Sequence, residues 1–120
     1  MEKFWNLKVF SKSHDLVKFT YELTESFPGE ERFGLVSQMR RSAVSIVANI
    51  VESTKRKTAK DQSHFIVMSD TSLEELKYYF YLSFDLKYIK REASVEGIKK
   101  SREIGRMLNG LLNSYKKTNS

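Results

Sequence analysis

The chain has 120 residues, no cysteine, one proline and five glycines, and 21 basic against 15 acidic residues, a formal net charge of +6. This length suffices for one domain that buries a core without a staple. The lack of cysteine excludes a disulfide framework and a thiolate zinc site, and the scarcity of turn formers weighs against a β architecture. The charge is uneven: residues 1–86 hold 12 basic and 12 acidic side chains, residues 87–120 hold nine and three. A localised basic field of this kind attracts phosphate backbones. The opening MEKFWNLKVF has charges at Glu2, Lys3 and Lys8 and no long apolar run, which argues against a signal peptide. No stretch approaches the roughly 20 apolar residues of a membrane span. These features predict a soluble cytoplasmic protein with no membrane association.

The first predicted helix runs from Ser11 or Ser13 to Phe27, with Leu16, Phe19, Leu23 and Phe27 at helical spacing and Pro28-Gly29 as its stop. Residues 1–10 read as an apolar arm, carrying Phe4, Trp5, Leu7, Val9 and Phe10, that packs over one bundle end or onto a neighbouring chain. The second helix starts between Glu30 and Gly34 and ends between Glu52 and Thr54. Leu35, Met39, Ser42, Ala43, Ile46, Asn49 and Ile50 share one face, and Val44 and Val51 carry apolar surface almost to the other side. Arg40 and Arg41 point about 100° apart, so contacts with another helix or chain suit them better than one shared site. Arg41 is therefore assigned to an interface, where its planar fork binds well.

The third helix spans Thr58 to Lys87, opened by Thr58 and Asp61 as a capping-box pair. One face holds Phe65, Ser69, Ser72, Leu73, Leu76, Phe80 and Ser83; a second holds Val67, Thr71, Tyr78, Leu82 and Ile89. Two apolar stripes imply two packing partners, so Val67, Tyr78, Leu82 and Ile89 are predicted to meet another subunit. The fourth helix begins at Ser94 as N-cap and ends near Lys117, its core stripe being Ile104, Leu108, Leu111, Leu112 and Tyr115. Opposite lie Lys99, Arg102, Arg106, Asn109, Asn113 and Lys116. Residues 116–120 read as a frayed tail. Four such helices with short connections predict an all-α, up-down-up-down bundle forming a single domain over residues 1–120.

No reaction is legible. His14 and His64 lack an orienting partner at helical spacing, and no His-x3-His pair marks a metal. The helical-bundle ribonuclease pattern of Arg and His four to six residues apart fails, since seven residues separate Arg56 from His64. No catalytic residue, metal site or cofactor is predicted. Nucleic-acid contacts are assigned to Lys99, Arg102 and Arg106 and to the Lys55-Arg56-Lys57 run beside the third helix's N-terminus. Tyr78, Tyr79, Phe80, Tyr81 and Phe84 spread around their helix and suit core and interface better than base stacking.

FWNLKVF, SFPGEERFGLVSQMRRSAVSIVANIVES and GRMLNGLLNSY resemble the four-helix-bundle proteins encoded in intervening sequences of bacterial large-subunit ribosomal RNA genes. The likeness covers Phe4 to Tyr115, with its signature at Phe27-Pro28, Glu31, Gly34-Leu35, Gln38, Arg40-Arg41, Ser45-Ile46 and Asn49-Ile50. Val47 stands where proline is common, and Ser53 where glycine often follows the Glu, so the usual glycine helix end is not expected here. The resemblance implies a bacterial all-α bundle in a ring-like homopentamer, similar to accessory proteins of diversity-generating retroelements that associate with a reverse transcriptase and nucleic acid. The sequence thus predicts a non-enzymatic homo-oligomeric scaffold that binds structured RNA or another nucleic acid. The alternative is a protein-protein adaptor such as a reverse-transcriptase accessory subunit.

Overall fold

The computed structural model describes residues 3–118. Four helices, α1 (Lys8–Thr24), α2 (Leu35–Lys55), α3 (Ala59–Asp85) and α4 (Arg91–Thr118), follow one another, with short 3-10 turns at Lys3–Asn6 and Gly29–Glu31. No strand occurs among the described residues. Each helix packs on the next and α1 closes against α4, which makes a four-helix bundle measuring 48 × 23 × 22 Å.

The core contains Leu16, Met39, Ile46, Ile50, Ile66, Leu73, Leu76, Phe80, Ile104 and Leu108, all essentially sealed from water. Small hydroxyl residues share it: Ser13, Thr20, Thr24, Ser53, Ser69, Ser83, Ser94 and Ser101 are buried. Most satisfy themselves on their own helix, as in Ser13 to the Val9 carbonyl (2.6 Å), Thr20 to Leu16 (2.8 Å) and Ser101 to Gly97 (2.8 Å). Others tie helices together: Ser69 donates to the Ile46 carbonyl at 2.8 Å, and Ser94 to that of Phe80 at 3.1 Å. Among the described residues no buried side-chain polar atom lacks a partner, as a stable interior requires.

This use of hydroxyls in the core corrects several boundaries. Helix α1 starts at Lys8, not at Ser11 or Ser13, because its buried face is Val9, Ser13, Leu16, Thr20 and Thr24. Two turns of the supposed arm are thus structured: a 3-10 turn precedes α1, Val9 enters the core, and the Phe4 and Phe10 rings meet at 5.2 Å. Met1 and Glu2 lie outside the described residues. Helix α1 ends at Thr24, and Phe27 is buried in the following turn against Tyr88, ring centroids 5.3 Å apart. Helix α2 runs to Lys55. Ser53, in the place of the usual glycine, is fully buried and hydrogen-bonded to the Ile50 carbonyl (2.7 Å) and to the Tyr115 hydroxyl (3.1 Å).

In α3, Ile66 rather than Phe65 enters the core. Thr58 caps the helix as expected, accepting from the Asp61 N–H at 3.2 Å. Helix α3 ends at Asp85 in a left-handed turn at Lys87 (φ 67°), where the Tyr88 N–H reaches the Ser83 carbonyl at 2.9 Å. Helix α4 begins three residues before Ser94, whose hydroxyl faces Phe80 and caps nothing. It continues through Lys116 and Lys117 to Thr118, so the tail is helical that far; Asn119 and Ser120 lie outside the described residues.

Candidate nucleic-acid interface

Positions 99, 102, 106, 109, 113 and 116 recur every three or four residues, which places them on one side of a helix. On α4 all six are exposed, opposite the buried Ile104 and Leu108. Lys99, Arg102 and Arg106 make no ion pair, whereas Lys100 is paired with Glu96 at 3.7 Å and leans over the Phe19 ring. Arg106 stands on a crest between two grooves. On the α1 side it lines a groove of about 370 Å³ with Lys8, Lys12, Glu103 and Met107. Lys12 is paired there with Glu103 at 3.2 Å. On the α3 side Arg102 and Arg106 line a groove of about 490 Å³ whose far wall carries Val67, Asp70, Thr71 and Glu74. Partial burial, with Glu74 nearby, raises the Asp70 carboxyl above its ordinary pKa. The positive surface of α4 therefore extends toward Lys8 and Lys12 on α1, and acids limit it on the α3 flank. The sequence reading missed Lys8 and Lys12, because only the packing of α1 on α4 brings them near.

The loop assigned to phosphate contact is built differently. Arg56 holds both Glu52 carboxylate oxygens at 3.3 Å and lies over the Phe65 ring at 4.7 Å, and its carbonyl accepts from Gln62 at 3.2 Å. Lys55 and Lys57 are exposed beside it. The Ser53–Tyr115 contact puts this loop at the bundle end that holds Lys116. Lys99 lies 16 residues from Tyr115 along α4, about 24 Å at 1.5 Å per residue. The two predicted basic groups are thus at different heights, with Lys116 at the loop's end and Lys99 far up the bundle.

The predicted interface residues also separate. Val67 and Tyr78 are 51% and 57% exposed, with Tyr81 at 55% beside them. Leu82 and Ile89 are half-buried against the chain's own core. Arg41 is exposed, while Arg40 is held within the chain: its Nε donates to Thr24 Oγ1 at 3.0 Å, and its guanidinium stacks on Tyr21 at 4.5 Å. Asn49, the amide of the α2 stripe, donates to Ser45 at the carbonyl (2.9 Å) and hydroxyl (3.1 Å), and Ser45 meets Ser72 of α3 at 2.9 Å. These groups lock α2 to α3. Phe33, 88% exposed, had no place in any predicted stripe.

His14 and His64 are both exposed, against Phe10 and Phe65 respectively, with no hydrogen-bonded partner. Among the described residues no cluster of three or more His, Asp or Glu side chains is placed to hold a metal, and no helix is long and apolar enough to cross a membrane.

The family model of the 23S rRNA-intervening sequence proteins matches residues 5–110. The chain belongs to this family. A similar solved structure is the crystal structure of a protein of unknown function from the S23 ribosomal protein family of Bacteroides thetaiotaomicron VPI-5482. It superposes with a TM-score of 0.78 at 24% identity, covering 87% of this chain and 97% of that one. At that identity the likeness establishes the fold. No curated protein matches the chain.

Proposed function

We propose that this family member is a cytoplasmic, non-enzymatic, homo-oligomeric scaffold that binds structured RNA or another nucleic acid through backbone contacts. The observation that carries the reading is the crest of α4, where Lys99, Arg102 and Arg106 are exposed and unpaired, with Lys8 and Lys12 on its α1 flank. A surface of that composition matches a phosphate backbone, so binding is salt-sensitive and weakly sequence-selective. The family resemblance supports a ring-like pentamer, and five copies of a +6 chain multiply the field. The exposed apolar residues Val67, Tyr78 and Tyr81 on α3 support association of copies.

The test is titration of a structured RNA hairpin at several salt concentrations. Each phosphate neutralised contributes about 0.9 to the slope of log affinity against log salt on a duplex. Replacing Lys99, Arg102 and Arg106 together by glutamine should weaken binding and flatten that slope by about 2 to 3. Weak wild-type binding, or a slope that the triple variant leaves unchanged, refutes the reading. Strong salt-insensitive capture of a protein partner, such as a reverse transcriptase, would instead support an adaptor role.

A further inference from the structure

Two surfaces of the bundle differ in charge. Between α1 and α2 a cleft of about 480 Å³ is lined by Tyr21, Arg32, Phe33, Arg40, Arg41 and Val44, among other side chains. Its three arginines have no carboxylate partner: Arg32 lies over Phe33 at 5.4 Å, Arg40 is bound to Thr24 and Tyr21, and Arg41 contacts no acid. The nearby Glu31 is committed elsewhere, to the Tyr88 hydroxyl at 2.7 Å and the Leu35 N–H at 3.3 Å. The outward face of α3 has the reverse character. Helix α3 carries five acidic residues against two lysines in a chain that is basic overall. Asp70, Glu74 and Glu75 are exposed alongside Val67, Tyr78 and Tyr81. Of the lysines, Lys77 is paired with Glu74 at 2.6 Å, and Lys60 lies at the helix start.

We infer that copies of this chain associate head to tail, the outward face of α3 in one copy seating in the α1–α2 cleft of the next. This rests on the assembly part of the proposed function and specifies its contact. Three observations commit the occupant to a second copy. First, arginines and an exposed aromatic face acids and exposed aromatics, the residue types that make desolvated interface anchors. Second, α1 and α3 are diagonal in the bundle, since α1 packs on α2 and α4, so the cleft and the α3 face point away from each other and cannot meet within one chain. Third, they share a height. Met39 faces Ser83 and Ser45 faces Ser72, which sets Arg40 to Val44 level with the stretch of α3 that holds Glu74, Glu75, Tyr78 and Tyr81. A head-to-tail contact between unlike surfaces at one height adds copies side by side without sliding along the bundle axis. The contact centres on α3, because Arg102 and Arg106 across the adjoining groove would repel the cleft's arginines. The α4 crest therefore stays outside the contact, free for nucleic acid.

The mass of the full chain is measured by light scattering at micromolar concentration. The wild type is expected as a multiple of 14.1 kDa; a monomeric wild type overturns assembly itself along with the pairing. Phe33→Ser with Arg41→Ser damages the cleft, and Glu74→Ala with Tyr78→Ser damages the α3 face. All four side chains are exposed, so helical circular dichroism should be unchanged. Each double variant alone should weaken association about tenfold or more, toward the monomer. Mixed in equal amounts, the two should regain mass to a dimer, since the intact α3 face of one meets the intact cleft of the other and the remaining surfaces are both damaged. Retention of wild-type mass by either variant overturns the pairing, even if the cleft variant loses RNA binding and so marks the cleft as a base-stacking platform. A mixture that stays monomeric also overturns it, because like surfaces would then be meeting like.

Discussion

Gly97 should be the least replaceable glycine in the chain. A Cβ built there would stand 2.8 Å from both Cγ and Cδ2 of Phe80 and 2.9 Å from Cδ1. The ring has nowhere to go: Phe80 is fully buried and packs edge-on against Phe19 at 5.9 Å. Overpacking of a core costs about 1–3 kcal/mol, while alanine in place of glycine inside a helix returns about 1 kcal/mol. With three ring atoms in conflict the upper end of the cost applies, so Gly97→Ala should destabilise by about 1–2 kcal/mol. Gly110 provides the control. Nothing lies within 4 Å of its added Cβ, so Gly110→Ala should stabilise by about 0.5–1 kcal/mol through helix propensity alone. The assay is urea unfolding followed by helical circular dichroism, at one protomer concentration because association adds apparent stability. Gly97→Ala at or above wild-type stability, or both variants shifting the same way, would refute the packing argument.

Other outcomes follow from single contacts. Tyr115→Phe removes the hydroxyl that joins the end of α2 to α4, while Ser53 keeps its bond to Ile50; a loss of about 0.5–1 kcal/mol is expected in the same urea assay. Lys87 pays for a left-handed φ of 67°, so Lys87→Gly should raise stability by about 0.5–1 kcal/mol, read as a higher unfolding midpoint. The hydrogen bond to Glu31 raises the Tyr88 phenol above its ordinary pKa of 10.0. The neutral phenol is thus favoured in the folded state. Its stabilisation is complete below the ordinary value and is lost as pH rises through the folded one. A phenolate absorbance titration of wild type minus Tyr88→Phe should therefore have its midpoint above 10.0; a midpoint at or below it would count against the bond.

The readability of the sequence differed from element to element. In α2 the spacing of Leu35, Met39, Ala43, Ile46 and Ile50 marked the buried face correctly, because large apolar side chains at helical period have one physical use. In α1 the face was obscured by Ser13, Thr20 and Thr24, which are polar by type and buried in fact. Their hydroxyls bond to carbonyls of their own helix, which removes the penalty of burial and lets helices approach closely. Ser94 misled for the opposite reason: a residue favoured as a cap was used instead to bond across to Phe80. The α4 cations Lys99, Arg102 and Arg106 were legible as a stripe, since one helix suffices to align them. Arg56 was not, because its engagement by Glu52 and Phe65 depends on how the loop folds back.

By itself the sequence determined that the chain would be helical, that four amphipathic segments would share one core, and that positive charge would gather on the last of them. Those properties are local: helical periodicity, breakers and charge act within a segment and need no partner. Tertiary packing alone decided which polar residues are buried, where α1 and α4 begin, and that Gly97 admits Phe80. It also decided that the arginine cleft and the acidic face of α3 stand back to back at one height. These depend on distances between residues far apart in the chain, which only the packing of helix on helix sets.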